Sequence, residues 1–558
     1  MMKIKKLLFI LIIFSSHYTF AQVENVPQNN RVYSFLKEMK VKNIIPYISE
    51  DVPNLSRFEV RALLDTVRKL FNRLSTTERD LLHWFEIEYT DSLLDETTTR
   101  LFTPGKSFGS TLSEVGSDKV KYLYAYQEEN ANFYAEGLGH FYHGQQLKHK
   151  VTNANLYDTG FRLRGTVFKH LGYLFSFIKG GVSGNKDLAE IIEPRLLTNF
   201  KWIEAGENIG NYGFHSAYLK YHTEPVEGMN LSVQIGREPI TIGYGYGSKL
   251  VLSGDNPVLD FMQFNFDYGI VHYTSIHAST VGLFTPERND RYTKFWAFNT
   301  LRITLPGLFD IGIGEAIVYS GRGIELAYLS PVAYYKFIET ALQDRDNGVL
   351  YLDIQTSFIS NLELQGTFFL DENILFNFND LDRFTNKTAY QLGTFWYEAF
   401  TIRNLSWILE YTRIRPYVYS HVNIKNTYSA WGTNLGHRIG PNSDEIFTKL
   451  AYNVNSWISV AMEYRHQRSG ENIYDDGGNL IKNVGGDLFV SHESRQSDKA
   501  VFLDGIRINT DIFQVGFRIE PIRDFIFDVI YNYRIDDNLT QGYKKDFSYG
   551  LIKFSFEY

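Results

Sequence analysis

The 558-residue sequence contains no cysteine. This absence excludes disulfide bonds, a cysteine nucleophile and every cysteine-based metal site. The net charge of −8 is small for a chain of this length, and it gives no reason to expect nucleic acid as a partner. Beyond residues 1–21 the sequence has no apolar run of the ~20 residues that a transmembrane helix needs. Stability must therefore come from buried apolar surface or from a sheet that closes on itself.

Residues 1–21 have the pattern of a secretory signal peptide. Three lysines precede the apolar run Leu7–Phe14, and Thr19 and Ala21 occupy the positions that a signal peptidase reads. A membrane-anchoring helix is the alternative, but Ser15–His17 interrupts the run well short of the ~20 residues required. No cysteine follows Ala21, which excludes attachment of a lipid. We expect the mature chain to begin after Ala21 and to leave the cytoplasm.

Residues 22–105 differ from the rest of the chain because their apolar residues recur at helical spacing. The pattern predicts three short amphipathic helices that form a small bundle. Two stretches match the S-x-x-E capping box, in which serine and glutamate satisfy each other's backbone donors: Ser56 with Glu59 and Ser75 with Glu78. Pro104 and Gly105 belong to a linker, so we place a domain boundary at residue 105.

From Lys119 to Tyr558 the apolar residues alternate with period 2, and we assign residues 106–558 to one domain. Segments such as Ile458–Arg465, Val515–Glu520 and Phe525–Arg534 place aromatic and aliphatic residues on one face of a strand and more polar residues on the other. A water-soluble β-sandwich could show the same alternation. The signal peptide and the aromatic content of 16% favour an antiparallel β-barrel of the outer membrane, with lipids outside and a polar lumen.

The chain ends on YGLIKFSFEY, an alternating strand whose last residue is Tyr558. A terminal strand that ends on an aromatic residue resembles the signal read by the outer-membrane barrel-assembly machinery, which we therefore expect as a partner. At roughly 10 residues per strand, plus turns and longer loops, the segment has room for about 16 to 20 strands. Our prediction is about 18 strands.

No stretch of the sequence indicates an enzyme. The glycine-rich segment Ile242–Lys249 misses the spacing of a phosphate-binding loop. His140 and His143 lack a third metal ligand at a recognisable spacing. The sequence also has no G-x-S-x-G elbow and no H-E-x-x-H motif. We predict a non-enzymatic protein that uses no metal and no cofactor.

The segment YTRIRPYVYSH is the most suggestive for binding. Its alternate residues are cationic or aromatic and would share one face of a strand: Arg413, Arg415, Tyr417, Tyr419 and His421. Guanidinium forks suit carboxylates and aromatic rings suit sugars, so this ladder fits a charged polysaccharide. The competing interpretation is that the arginines only brace the barrel wall or set the electrostatic field of the lumen. The preceding apolar stripe has the same parity, which predicts a bulge or a strand that has left the bilayer by Arg413, and Pro416 favours such a disruption.

Other charged clusters suggest polar bracing inside a lumen. They are Arg237 with Glu238, then Glu315, Arg322 and Glu325, and finally His437 with Arg438. Confined charges need partners, so structural bracing is the better interpretation for each of these residues taken singly.

The order of these stretches resembles the capsule-assembly Wzi family of outer-membrane proteins. The resemblance is carried by SRFEV, IGREPITIGYGYGSKLVLSGDNPVLD, GEAIVYSGRGIELAYLSP, DRDN, YTRIRPYVYSH and LGHRIGPNSDE, in this order. It implies an 18-stranded barrel with a periplasmic helical bundle, a lectin-like protein that tethers capsular polysaccharide and needs no cofactor. It also makes Arg413, Arg415, Tyr417, Tyr419 and His421 the candidates for glycan contact.

We therefore predict an outer-membrane barrel that binds capsular or extracellular polysaccharide and assists its assembly and attachment. The alternative is a porin-like channel for solutes, because the same barrel and the same polar lumen would serve it equally well.

Overall fold

A computed structural model describes residues 22–90, 93–102, 109, 113–149, 151–204, 210–283, 287–343, 345–371 and 380–558. The signal peptide predicted at 1–21 and the boundary predicted at residue 105 lie outside these residues. An N-terminal helical unit precedes a closed β-barrel.

Three helices follow one another near the N-terminus, as predicted: α1 is Arg31–Val41, α2 is Arg57–Lys69 and α3 is Thr76–Glu88. A 3-10 turn, Phe71–Arg73, lies between α2 and α3. Both capping boxes form, since each serine N–H donates to the glutamate three residues later: Ser56 to Glu59 at 2.7 Å and Ser75 to Glu78 at 2.5 Å. The helices share an apolar core of their own.

Eighteen antiparallel strands close into a barrel, which confirms the predicted fold. In chain order they are β1 Ala131–Gln146, β2 Asn153–Val167, β3 Leu171–Gly184, β4 Asn211–Val226, β5 Met229–Glu238, β6 Leu259–Tyr268, β7 Val271–Val281, β8 Thr293–Leu305, β9 Phe309–Ser320, β10 Asn347–Thr356, β11 Leu362–Leu370, β12 Thr388–Tyr397, β13 Leu405–Ile414, β14 Ser443–Asn453, β15 Ile458–Glu471, β16 Ile506–Ile522, β17 Phe525–Asn538 and β18 Tyr543–Glu557. Strand β18 pairs with β1 to complete the barrel. The short strand Tyr124–Glu128 pairs with the first residues of β1 and extends this closure.

Smaller elements lie outside the wall strands. Short helices occur in two connections: α4 Lys186–Ile192 and α5 Phe200–Glu204 between β3 and β4, and α6 Tyr335–Ala341 between β9 and β10. Further 3-10 turns are Pro194–Thr198, Arg288–Asp290, Leu326–Leu329, Ala399–Thr401, Ile424–Asn426 and His492–Ser494. Short strand pairs are Thr98–Arg100 with Val120–Tyr122, Ser429–Ala430 with Thr433–Asn434, and Ile473–Tyr474 with Leu480–Lys482.

The two ends of the barrel differ in their connections. At the short-turn end, tight turns such as 269–270 and 306–308 join the strands, and the C-terminal residue Tyr558 lies there as well. At the long-loop end, longer connections such as 239–258 and 415–442 join them. No helix in the described part of the chain is both long and apolar enough to cross a membrane.

Side chains along each wall strand alternate between the outside and the lumen. On β8, Leu301 and Ile303 are exposed on the outer face, whereas Arg302 between them is buried towards the lumen. On β9, Ile311 and Ile313 continue the exposed apolar face. An apolar outside combined with a charged inside is the polarity that a wall in contact with lipid requires.

Segments that fold inward fill much of the lumen. Loop 239–258, between β5 and β6, packs Ile242 and Leu252 into a core with inward side chains such as Trp296 on β8. Tyr419, from the loop after β13, joins the same core. On another part of the wall, the connection between β3 and β4 contributes a second apolar cluster that includes Leu188, Ala189 and Leu196.

The N-terminal unit reaches into the lumen and contacts the wall. Asn25 Nδ2 donates to Gln234 at 2.9 Å and to Glu238 at 3.0 Å, both on β5. On α1, Lys40 Nζ lies 3.2 Å from Glu363 Oε2 of β11. These contacts lie on separate strands, so the unit is held to the wall at several points.

Arg302 of β8 forms another deeply buried contact with the N-terminal unit. Its Nε donates to Asp51 and its Nη2 to Asp353 of β10, each at 2.8 Å, while Nη1 donates to the Tyr244 hydroxyl at 2.7 Å. Burial alone would raise the pKa of Asp51, but the Arg302 guanidinium, together with Lys249 and Ser49, lowers it overall. One guanidinium therefore joins the N-terminal unit, the wall and loop 239–258.

Substitution Arg302→Ala should weaken the attachment of the N-terminal unit to the barrel. It leaves Asp51 and Asp353 buried without their cation, which costs about 3–5 kcal/mol when one partner of a buried ion pair is removed. We expect trypsin to cleave residues 22–90 at a lower urea concentration than in the parent protein, while the barrel stays folded.

The matched control is Arg68→Ala, which removes an exposed ion pair with Glu86 on the helices themselves. Exposed pairs contribute about 0–1 kcal/mol, so the urea concentration for cleavage should hardly move. Equal protection of the Arg302→Ala and Arg68→Ala proteins would contradict the anchoring role of Arg302.

Candidate functional site

The predicted ladder of five residues does not form, because strand β13 ends at Ile414. Pro416 follows two residues later and has no N–H to continue the strand pairing. Tyr417 and Tyr419 then adopt left-handed backbone conformations, with φ of 67° and 69°. Strand alternation therefore stops after Ile414, in agreement with the disruption expected near Pro416.

Tyr417 and Tyr419 are buried and hold neighbouring loops together. The Tyr417 hydroxyl donates to the Asn483 carbonyl at 2.9 Å. The Tyr419 hydroxyl donates to the Leu250 carbonyl at 2.9 Å and accepts from the His437 N–H at 3.2 Å. Burial raises the pKa of Tyr417 to about 12 and that of Tyr419 further still, so both stay neutral. Neither ring is exposed to a ligand in this arrangement.

Arg413 and Arg415 lie beside one another at the long-loop end. The guanidinium carbon of Arg413 lies 3.9 Å from the ring centre of Phe502. Arg415 Nε donates to the Asn386 carbonyl at 3.0 Å, and burial lowers the pKa of Arg415. Both side chains remain partly exposed, so they differ from the two buried tyrosines.

Arg438 braces loop 239–258 inside the barrel, and its neighbour His437 is buried beside it. His437 is fully buried with its Nε2 atom 3.8 Å from Glu445 Oε1, and burial lowers its pKa well below the usual range. Arg438 donates to the Gly247 carbonyl. Glu410 accepts from the Gly247 N–H at 2.9 Å. The structure thus brings these predicted residues to the lumen, where Arg438 holds a loop.

Arg237 and Glu238 point to opposite faces of the wall, because neighbouring residues of a strand alternate. Glu238 faces the lumen and accepts from Asn25, as described above. Arg237 instead forms an exposed ion pair with Asp260 of β6 at 2.9 Å on the outer face. The expectation that both residues line the lumen is therefore corrected for Arg237.

Glu315, Arg322 and Glu325 all lie on the outer side of the wall. The connection 321–343 between β9 and β10, which we call the flap, folds back over this outer face. Arg322 Nη1 donates to Asp346 at 2.8 Å, and its Nε lies 3.5 Å from Glu325. Glu315, an outward residue of β9, accepts from the Tyr335 N–H at 2.8 Å. These three residues therefore hold the flap, and the expectation that they line the lumen is corrected.

A cavity of about 940 Å³ opens where the flap meets the long-loop end, and we call it the rim cavity. Strand residues Leu350 and Leu370 and flap residues Tyr334 and Phe337 line one part of it. Polar residues from the loops line the rest: Asp371, Lys387, His421, Asn423 and His492. Arg415 lies next to this cavity, because its N–H donates to Thr388, the neighbour of Lys387, at 3.1 Å.

The rim cavity combines acids, bases, amides and aromatic rings. Such a set can hydrogen-bond hydroxyl groups and pack against the apolar faces of sugar rings. Of the sequence-predicted ladder, His421 lines the cavity and Arg415 flanks it. Sequence reasoning missed Asp371, Lys387, Asn423 and His492, which belong to three different loops and carry no local motif.

Comparisons with known proteins show the fold. No protein-family model and no curated protein matches the sequence. Among solved structures, the chain is similar to Wzi of Escherichia coli, an outer-membrane protein involved in group 1 capsule assembly and a carbohydrate-binding β-barrel. The alignment covers 95% of this chain and 99% of Wzi, with a TM-score of 0.58 and 12% identity. OprD of Pseudomonas aeruginosa aligns with 76% of this chain and 95% of its own, with a TM-score of 0.41 and 11% identity. The chain therefore has a Wzi-like barrel fold.

Substitution Tyr419→Phe should loosen loop 239–258. It leaves the Leu250 carbonyl and the His437 N–H buried without their shared partner, at a cost of about 1–3 kcal/mol. We expect faster hydrogen–deuterium exchange in peptides that cover residues 239–258. The control is Tyr474→Phe, at an exposed tyrosine of another loop, which should leave this exchange unchanged. Identical exchange in both variants would show that the Tyr419 hydroxyl does not hold the loop.

Proposed function

We propose that this protein is a non-enzymatic barrel of the outer membrane that binds surface polysaccharide and assists the assembly or attachment of a capsule or exopolysaccharide. The long-loop end faces the cell exterior and the helices α1–α3 face the periplasm. Membrane lipids surround the apolar outer face, and the barrel-assembly machinery inserts the barrel into the membrane.

The observation that carries this proposal is the construction of the long-loop end. Loops fold into a packed structure that fills the lumen below, and a cavity of about 940 Å³ with sugar-compatible groups remains at the rim. The likeness to Wzi, whose own description is that of a carbohydrate-binding barrel in capsule assembly, supports the same function. The likeness extends over 95% of this chain, so it includes most of the N-terminal helices as well.

Within the rim cavity, we assign glycan contact to His421 and Asn423, with Arg415 at its flank and Arg413 beside Arg415. Imidazole and amide groups exchange hydrogen bonds with sugar hydroxyls. The guanidinium groups offer forked donors to the carboxylates of an acidic polysaccharide. Tyr417 and Tyr419 position the loop that carries His421, because their hydroxyls hold it from below.

A porin-like channel is the alternative. It needs a continuous water-filled lumen, whereas an apolar core spans strands β6–β13 and the N-terminal unit occupies the lumen near the short-turn end. In planar bilayers we expect little stable current from the intact protein, and a large steady conductance would favour the channel.

The function itself is tested by comparing cell-bound and released polysaccharide in a strain that lacks this protein and in its parent. A surface tether predicts unchanged total polysaccharide with a shift into the medium. An unchanged ratio of bound to released polysaccharide would contradict attachment as the function.

The assigned site is tested with His421→Ala combined with Asn423→Ala. We expect the affinity for polysaccharide purified from the parent strain to fall about tenfold or more, which corresponds to about 1.4 kcal/mol, as measured by calorimetric titration. His149→Ala is the matched control, since His149 is an exposed histidine in the connection between β1 and β2. Equal losses in the two proteins, or no loss in either, would remove the rim cavity from the proposal.

A further inference from the structure

The outer face of the wall is not apolar everywhere. On strands β7–β9, outward positions above the exposed Leu301 and Ile313 are occupied by polar residues: Ser275, His277, Asn299 and Glu315. Glu315 lies six residues beyond Phe309, where β9 begins. At ~3.3 Å per residue and a strand tilt of ~40°, this places Glu315 roughly 15 Å above the start of β9, inside an apolar band ~25 Å tall. Uncovered polar groups at that height would contact the hydrocarbon of the membrane, which carries a large free-energy cost of desolvation.

The flap covers these polar groups. Glu315 accepts from the Tyr335 N–H at 2.8 Å, and Asn299 donates to the Ala333 carbonyl at 3.0 Å and accepts from the Tyr335 hydroxyl at 3.0 Å. On β7, the Tyr273 hydroxyl donates to the flap at the Pro331 carbonyl. The flap therefore spans three wall strands and bonds to Tyr273, Asn299 and Glu315 on their outer faces.

The underside of the flap is apolar as well as hydrogen-bonded. Tyr328 and Tyr335 pack against outward residues of β8 and β9 such as Phe295 and Ile317, and Ile338 of α6 lies against the same cluster. This packing makes the flap part of the wall.

The opposite side of the flap is strongly exposed and also apolar. Val332 is 91% exposed, Leu326 is 77% exposed and Ile324 is 56% exposed. Exposed aliphatic side chains gathered on one short segment mark an interaction surface. This surface lies beside the band formed by Leu301 and Ile313, because Pro331, the neighbour of Val332, accepts from Tyr273, which pairs with Leu301.

We propose that the flap is embedded in the outer leaflet of the membrane, where Ile324, Leu326 and Val332 contact lipid acyl chains. The occupant is lipid because the patch lies beside the apolar outer band, and because the polar wall beneath it would otherwise be the part that meets lipid. The inference rests on the proposed membrane location, and it is independent of polysaccharide binding.

The experiment uses the absence of cysteine from the chain. Single substitutions Leu326→Cys and Val332→Cys, each carrying a nitroxide label, are reconstituted in full-length protein into vesicles of outer-membrane lipid. Leu352→Cys, on the exposed outer face of β10, is the lipid reference, and Tyr474→Cys, in a loop of the long-loop end, is the water reference. For each label we compare two rates of spin relaxation. One is caused by collisions with oxygen, which concentrates in lipid, and the other by collisions with a water-soluble nickel chelate. Heat-modifiable migration on gels verifies that each variant is folded.

We expect the labels at positions 326 and 332 to match the lipid reference, with oxygen access high and nickel access low. Nickel access equal to that of the water reference would overturn the flap inference while leaving the membrane location intact. Protection from both reagents would also overturn it, since a second protein copy would then cover the patch. A water-like result at Leu352 as well would instead refute the membrane location itself.

Discussion

The alternation of side chains along each strand is the constraint on which the rest of the molecule depends. A wall whose outer face is apolar must direct its polar and charged side chains into the lumen. Confined charges are costly unless each one finds a partner. The lumen of this barrel is accordingly crowded with chain that supplies those partners, and Arg302 shows how, since it binds Asp51 of the N-terminal unit and Asp353 of the wall.

This demand for partners links the two ends of the barrel. The N-terminal unit supplies partners such as Asn25 and Lys40 to wall residues. Loop 239–258 reaches inward from the long-loop end, and its Tyr244 shares Arg302 with that unit. Helices and loops are therefore held by one network of buried hydrogen bonds and ion pairs. The packed segments that fill the lumen lie directly beneath the long-loop end. They hold the loops that form a binding surface there in fixed positions.

Much of the fold could be predicted from the sequence because its signals are local. Period-2 alternation, the capping boxes at Ser56 and Ser75 and the usual strand length are each visible within a few residues. The candidate site could not be predicted in the same way. The left-handed backbone conformations of Tyr417 and Tyr419 break the predicted ladder. Nothing about tyrosine as a residue type indicates such a conformation. The rim cavity unites His421 with Lys387 and His492, and the loops that carry them meet only because strands β11–β16 pair side by side.

The places where alternation fails are informative for function. Asn299 and Glu315 place polar groups on the outer face, and the flap folds over both residues and forms hydrogen bonds with them. The same flap forms one side of the rim cavity through Tyr334 and Phe337. If the flap lies in the outer leaflet, the cavity opens at the membrane surface, between lipid and the long loops. A polysaccharide bound there would run along the cell surface and would not need to enter the lumen. A filled barrel and a binding function are then compatible, because the lumen supports the site without containing it.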